Sequence, residues 1–199
     1  KSDRAFGRRI PGNGGHMHWW IELPNIYDDM YDGEQSRDAL LMAHLGYYDH
    51  IKNHWSDKEK AKNILFRFTS VFVGRRESRR LIGDYVLTQE DCFKTEPFED
   101  AVAYTGWHLD VHHPEGIYSG EKGPMYCAFP APMPTVPFRC LYSANIDNLL
   151  FAGRNISMTH IAMSSMRVMA TCALMGEAVG KAAAISCKNN IFLKNCKTF

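Results

Sequence analysis

The stretch from Asn148 to Ser186 constrains this chain most. Asn148 to Ala152 (NLLFA) is a short apolar run ending at Gly153, the pattern of a buried strand delivered to a turn. Arg154 to His160 is a polar loop. From Met163 to about Ser186 the spacing predicts one long helix, rich in Ala and Met, with Gly176, Gly180 and Ala184 at four-residue steps. Small residues so spaced make a flat groove for close packing on a sheet or a ligand. Glycine lets backbone approach a ligand, and the N–H groups and dipole at a helix start favour negative charge. Arg154, Asn155, Ser157, Thr159 and His160 crowd that spot. On pattern alone two readings stay open: an ordinary α/β unit whose polar residues cap the helix, or a ligand site.

Composition narrows the classes around this unit. Lys+Arg number 23 against Asp+Glu 22, so no basic field points to nucleic acid and no acidic tail to disorder. Hydrophobic residues at 45% and aromatics at 12% are enough for a dense core and exclude collagen, coiled-coil and disordered classes. The most apolar window, Met166 to Ile185, carries Arg167, Glu177 and Lys181, too many charges for a membrane span. Cys92, Cys127, Cys140, Cys172, Cys187 and Cys196 contain no CxxC pair, so free, mostly buried thiols are expected, and the compartment is not readable from them.

Upstream, Pro11 to Gly15 is a turn cluster, and His16 to Leu23 (HMHWWIEL) reads as a strand. Leu40, Ala43, Tyr47, Ile51 and Trp55 share one face of a helix that starts near Ser36. Ser56 to Glu59 has the form of a capping box, which predicts a second helix to about Phe68. Leu81 to Thr88 and Ala101 to His112 read as strands, with Thr88 placed to cap a short helix. Pro114 to Pro137 holds six of the nine prolines and reads as surface loop facing a substrate.

Ile146 to Ala184 (IDNLLFAGRNISMTHIAMSSMRVMATCALMGEAVGKAAA) closely resembles the C-terminal flavin-binding segment of FAD-dependent oxidoreductases, relatives of the glucose-inhibited-division proteins and the heterodisulfide reductase flavoprotein subunit. GRRESRRLIGDYVLTQED (Gly74 to Asp91) and PFRCLYSANIDNLL (Pro137 to Leu150) are similar to two further motifs of that family. The resemblance runs from about His16 to Lys188. It implies a mixed α/β fold: the C-terminal part of a Rossmann-like flavoprotein, with a substrate or cap portion over 1–137 and the last strand and helix of the FAD domain over 138–199. It also implies FAD as cofactor, held at Gly153, Arg154, Asn155, His160, Ala162, Met163 and Arg167, with electrons or hydride passing through flavin N5 to or from a small-molecule substrate. A helix N-terminus at the pyrimidine edge would stabilise the negative charge of the reduced flavin.

The family's Gly-rich turn has no match. Gly12-Asn13-Gly14-Gly15 would need its third glycine at position 17, which is Met17, and no buried strand precedes it. The chain opens at Lys1 with a polar, basic start. It is therefore expected to be the later part of a longer flavoprotein, partnered by the missing N-terminal part, and to bind FAD weakly or not at all by itself.

On the substrate side, Asp110 to Gly116 resembles an Asp-x-His-x-Pro-x-Gly stretch of the family, which makes Asp110 and His112 contact candidates. Arg76 and Arg79 match the Arg-Glu-Ser-Arg-Arg stretch and suit an anionic substrate. Arg75, Arg76, Arg79 and Arg80 are equally suited to ion pairs with Glu77, Asp84 and Glu90. His112 and His160 are the acid/base candidates by residue type. Two rivals remain. His16, His18, His108, His112 and His113 with Asp110 supply metal-ligand types for a metal-binding module or metallohydrolase, although no HExxH is present. The chain can also be a non-catalytic, flavoprotein-like interaction fragment.

Overall fold

A computed structural model describes residues 21–28, 30–119 and 125–196, of which 125–129 are described by their backbone alone. The strand expected from His16 and the turn at Pro11 fall outside these residues, except Ile21 to Leu23, which lie outside any strand. The chain divides into two compact units, Lys1–Arg75 with His112–Tyr126, and Arg76–Val111 with Cys127–Phe199.

The first unit is built on α1 (Gly33–Asp49), continued by a π-helical turn, His50–His54. Its expected apolar face is buried at the C-terminal end, where Tyr47 and Ile51 pack with Ala61 and the half-buried Trp55. The expected second helix is reduced to one 3-10 turn, Lys58–Ala61. The capping pattern did not extend because the carbonyls a helix would use are taken from outside. Lys52 Nζ donates to the carbonyls of Ala61 (3.0 Å), Lys62 (2.7 Å) and Ile64 (3.1 Å), and the Tyr48 hydroxyl donates to Ile64 as well. The unit's second part, His112–Tyr126, is tied to its first by Asn25 N–H donating to Pro114 O and Ile117 N–H to Glu22 O, both 2.8 Å.

The second unit is a mixed α/β assembly. β1 (Ala101–Tyr104) pairs antiparallel with β4 (Thr135–Pro137), in register Ala103↔Val136 and Tyr104↔Thr135. Leu109–His112 forms β2 and Met125–Phe129 forms β3, so the proline-rich stretch contains two strands rather than loop alone. The single strand expected over Ala101–His112 is two. Between them Thr105 Oγ1 donates to Ser165 O and Ser165 Oγ to Trp107 O, which turns this backbone toward a helix rather than a neighbouring strand.

The strands expected at Leu81–Thr88 and Asn148–Ala152 are extended segments with single bridges, Leu87↔Met158 (parallel) and Tyr142↔Leu150 (antiparallel). Leu81 N–H donates to Asn155 O, Leu87 N–H to Ser157 O, and Thr159 N–H to Leu87 O. Gly83 interrupts the ladder. It lies so close to its neighbours that a Cβ there would stand 2.6 Å from Arg139 O and 3.0 Å from Tyr142 O. Asp84 meanwhile accepts from the Tyr142 hydroxyl at 2.8 Å. Leu87, Leu141, Phe151, Ile156, Met158, Met163, Met166 and Met175 form the core over which these segments cross.

The long helix expected from Met163 to Ser186 is two: α2 (His160–Met166) and α3 (Met169–Asn189), bent by 94°. No proline or glycine sits at the break. In a continuous helix Ser165 O would accept from Met169 N–H; here it accepts from Thr105 Oγ1 (3.1 Å), and Val168 is extended (ψ 147°). Thr171 Oγ1 donates to Tyr104 O and seats the start of α3 on β1. The Gly176, Gly180 and Ala184 stripe is exposed, and a Cβ at Gly176 or Gly180 would meet nothing within 4 Å. Among the described residues no single helix is long and apolar enough to cross a membrane.

Candidate functional site

The polar loop between Phe151 and α2 rests on a buried base. Phe151, Ile156, Ser157 and Met158 point inward, while Arg154, Asn155 and His160 are exposed. Gly153 turns the chain with φ +106°, a conformation that favours glycine. A Cβ there would meet only Asn155 Oδ1 at 3.7 Å, so the turn faces open space. Thr159 is extended and caps α2, its Oγ1 accepting from Ala162 N–H at 3.4 Å and its carbonyl from Met163 N–H at 3.0 Å. The cap does not reach the N–H groups of His160 and Ile161, which have no intrahelical acceptor either. The break after Met166 shortens the helix but leaves these donors in place, because terminal electrostatics act within the first turn.

The expected cofactor residues thus separate by what they can present. Gly153, Arg154, Asn155 and His160 offer backbone or side chain outward. Ala162 and Met163 are buried in the core, so only their backbone can meet a ligand. Arg167, one turn further, is largely buried and lies 3.5 Å from Asp110 Oδ2. Asp110 N–H donates to Ser164 Oγ, whose hydroxyl in turn donates to Ile161 O, so the start of β2 is stitched to α2.

The arginine-rich stretch reaches the same place. Glu77 Oε2 lies 2.5 Å from His160 Nδ1, and its other oxygen pairs with Arg80. Burial, then the Arg80 and Arg167 guanidiniums, push the His160 imidazole below the ordinary histidine value. Of the arginines expected to bind an anion, Arg76 is half-buried and Arg79 exposed. Of the expected ion-pair carboxylates, Glu77 meets Arg80, but Asp84 accepts from Tyr142 and Glu90 from Gln89.

His112 lies in the first unit. Its Nδ1 is 2.7 Å from Glu22 Oε2, with side chains 19% and 16% exposed. His108 stacks on Trp107 with ring centroids 4.7 Å apart. Among the described residues no three His, Cys, Asp or Glu side chains converge to hold a metal, which removes support from the metal-module reading; His16 and His18 lie outside those residues. Cys92, Cys140, Cys172, Cys187 and Cys196 are free thiols.

Two carboxylates meet histidines that no short spacing reveals. Glu22 is the one charge in an apolar, aromatic run, a signal that it has a partner. Glu77 lies among arginines that account for its charge without His160.

A family model described as FAD dependent oxidoreductase matches residues 4–197. No curated protein and no solved structure matches the chain.

Proposed function

Since the chain belongs to the FAD-dependent oxidoreductase family, we propose that the Gly153–Arg167 region holds the flavin end of FAD and that the arginine-rich stretch with Asp110 borders the substrate. The observation that carries this is the outward donor set on a buried base. The open turn at Gly153, the exposed Arg154 and the uncapped N–H groups of His160 and Ile161 are all donors or cations. FAD presents acceptors to match: phosphate oxygens, ribityl hydroxyls and the carbonyl edge of the isoalloxazine. The residues therefore fit the group.

When bound, FAD supplies the electron or hydride chemistry, through flavin N5, that protein side chains lack. The chain's own residues bind and orient. Arg154 places positive charge at the loop, and Asn155 adds an amide. The backbone of α2's first turn would offer N–H donors to the negative charge of a reduced flavin. Arg167, steadied by Asp110, adds a second cation close to His160. Arg76, Arg79 and Asp110 are assigned to a small-molecule substrate, with the arginines suited to an anionic group. A Rossmann-like half supplied by residues other than these completes the reading.

The test is flavin absorbance of the purified protein in its full natural length. Bound flavin is expected, with an affinity that Arg154→Ala lowers. Full-length protein that never takes up flavin, or an Arg154→Ala variant with unchanged affinity and unchanged flavin potential, defeats the assignment.

A further inference from the structure

His160 opens α2 directly after the Thr159 cap, so its backbone is anchored. Its ring is 57% exposed, yet Nδ1 is held 2.5 Å from Glu77 Oε2. A carboxylate can only accept, so Nδ1 carries the hydrogen. Glu77 is itself only 25% exposed and is gripped through its other oxygen by Arg80, three residues on in the same stretch. The carboxylate therefore cannot swing away without breaking an ion pair. A neutral imidazole with hydrogen on Nδ1 bears its lone pair on Nε2. Burial and the nearby Arg80 and Arg167 favour that neutral form.

We propose that Glu77, clamped by Arg80, is the positioning residue that fixes His160 as the Nδ1–H tautomer and so presents Nε2 as proton acceptor to a substrate O–H or N–H. In that step the substrate's X–H bond breaks, an Nε2–H bond forms, and the electron pair stays on X. The imidazolium that results keeps its Nδ1–H on Glu77, whose negative charge matches it. That the proton comes from the substrate of an oxidoreductase rests on the function proposed above; the tautomer and its cause do not.

Nitrogen-15 NMR of the histidine-labelled full-length protein, above the ordinary histidine titration range and without substrate, reads the tautomer directly. A pyrrole-type Nδ1 and a pyridine-type Nε2 are expected for His160. In Glu77→Ala the pattern should invert, because free imidazole side chains favour hydrogen on Nε2, and in Arg80→Ala it should move to intermediate shifts. Diethyl pyrocarbonate, read by mass spectrometry, should modify His160 in the wild type, because Nε2 bears an accessible lone pair. Hydrogen on Nε2 in the wild type overturns the proposal even if no variant folds. An unchanged Nδ1–H pattern in folded Glu77→Ala, or a wild-type His160 inert to the reagent, overturns it too. Flavin absorbance of the same samples separates the two ideas: colourless protein with the expected tautomer fails the flavin reading alone, and flavin-loaded protein with the other tautomer fails this one alone.

Discussion

Two histidine–carboxylate pairs, one in each unit, use the same hydrogen bond and are held in opposite ways. His112 and Glu22, 2.7 Å apart, are both largely buried, and the chain path keeps them together. The Glu22 segment is bonded through its backbone to the turn after His112. Gly116, at φ +49°, comes so near the Glu22 and Leu23 carbonyls that a Cβ has no room. This accounts for the Asp-x-His-x-Pro-x-Gly spacing in part: His112 meets Glu22, Pro114 accepts from Asn25, and Gly116 permits the close approach. His160 and Glu77 instead meet at a more exposed place, where side-chain charge does the holding: Arg80 on Glu77, with Arg167 close by on Asp110. The difference teaches that the first pair is a product of backbone shape and the second of local electrostatics.

The largest effect should therefore come from backbone at the first pair. Gly116→Ala must adopt a left-handed conformation and displace two carbonyls, so it should destabilise by about 3 kcal/mol or more in denaturant titration. A loss below about 1 kcal/mol would show that the turn yields and that the pair is not shape-held.

Deleting the carboxylates comes next. Glu22→Ala leaves a largely buried imidazole N–H without its acceptor and should cost about 1–3 kcal/mol. Glu77→Ala, at a more exposed ring, should cost less than Glu22→Ala, while changing the His160 tautomer. Equal losses would erase the distinction.

The His160 pair should also answer to pH. His160 lies below its ordinary value in the folded state, so the unfolded chain binds the proton first as pH falls. Its contribution is fully present above about pH 6.5 and is lost as pH drops toward the depressed folded value. His160→Gln should flatten that part of the stability–pH curve, and a curve identical to wild type would contradict the depression. At the alkaline end, burial pushes the Cys92 thiol up to about 11 and Cys140 to about 12. Unfolded thiols lose their protons first, so stability should fall as pH rises above about 9, with a slope that Cys140→Ala reduces.

The smallest effect is a control that belongs to neither pair. Gly176→Ala, on the exposed face of α3, should stabilise by up to about 1 kcal/mol, as alanine replaces glycine within a helix. A marked loss would mean that this small-residue face is packed after all.

Local signals were legible where local physics decides. The face through Tyr47 and Ile51 came from periodicity, and the polar loop ending at a helix start came from residue type. Where the reading failed, a distant group had claimed a backbone atom. Lys52 took the carbonyls that a helix after Ser56 would have used, and Thr105 took the Ser165 carbonyl at the α2–α3 break. Leu81–Thr88 reads as a strand, but Gly83 packs against the backbone of Arg139 and Tyr142, and the segment keeps a single bridge at Leu87.

The sequence by itself determined the family, the outward polar loop at Gly153 to His160, and the histidines with the chemistry for acid/base work. Those properties belong to residue type and short spacing, which the chain carries before it folds. Only the tertiary structure decided which carboxylate each histidine meets, because His112 and Glu22 are separated by 90 positions and His160 and Glu77 by 83. No periodicity spans such distances. A hydrogen bond of under 3 Å between such residues depends on where a glycine lets two backbones touch and where an arginine holds an acid still.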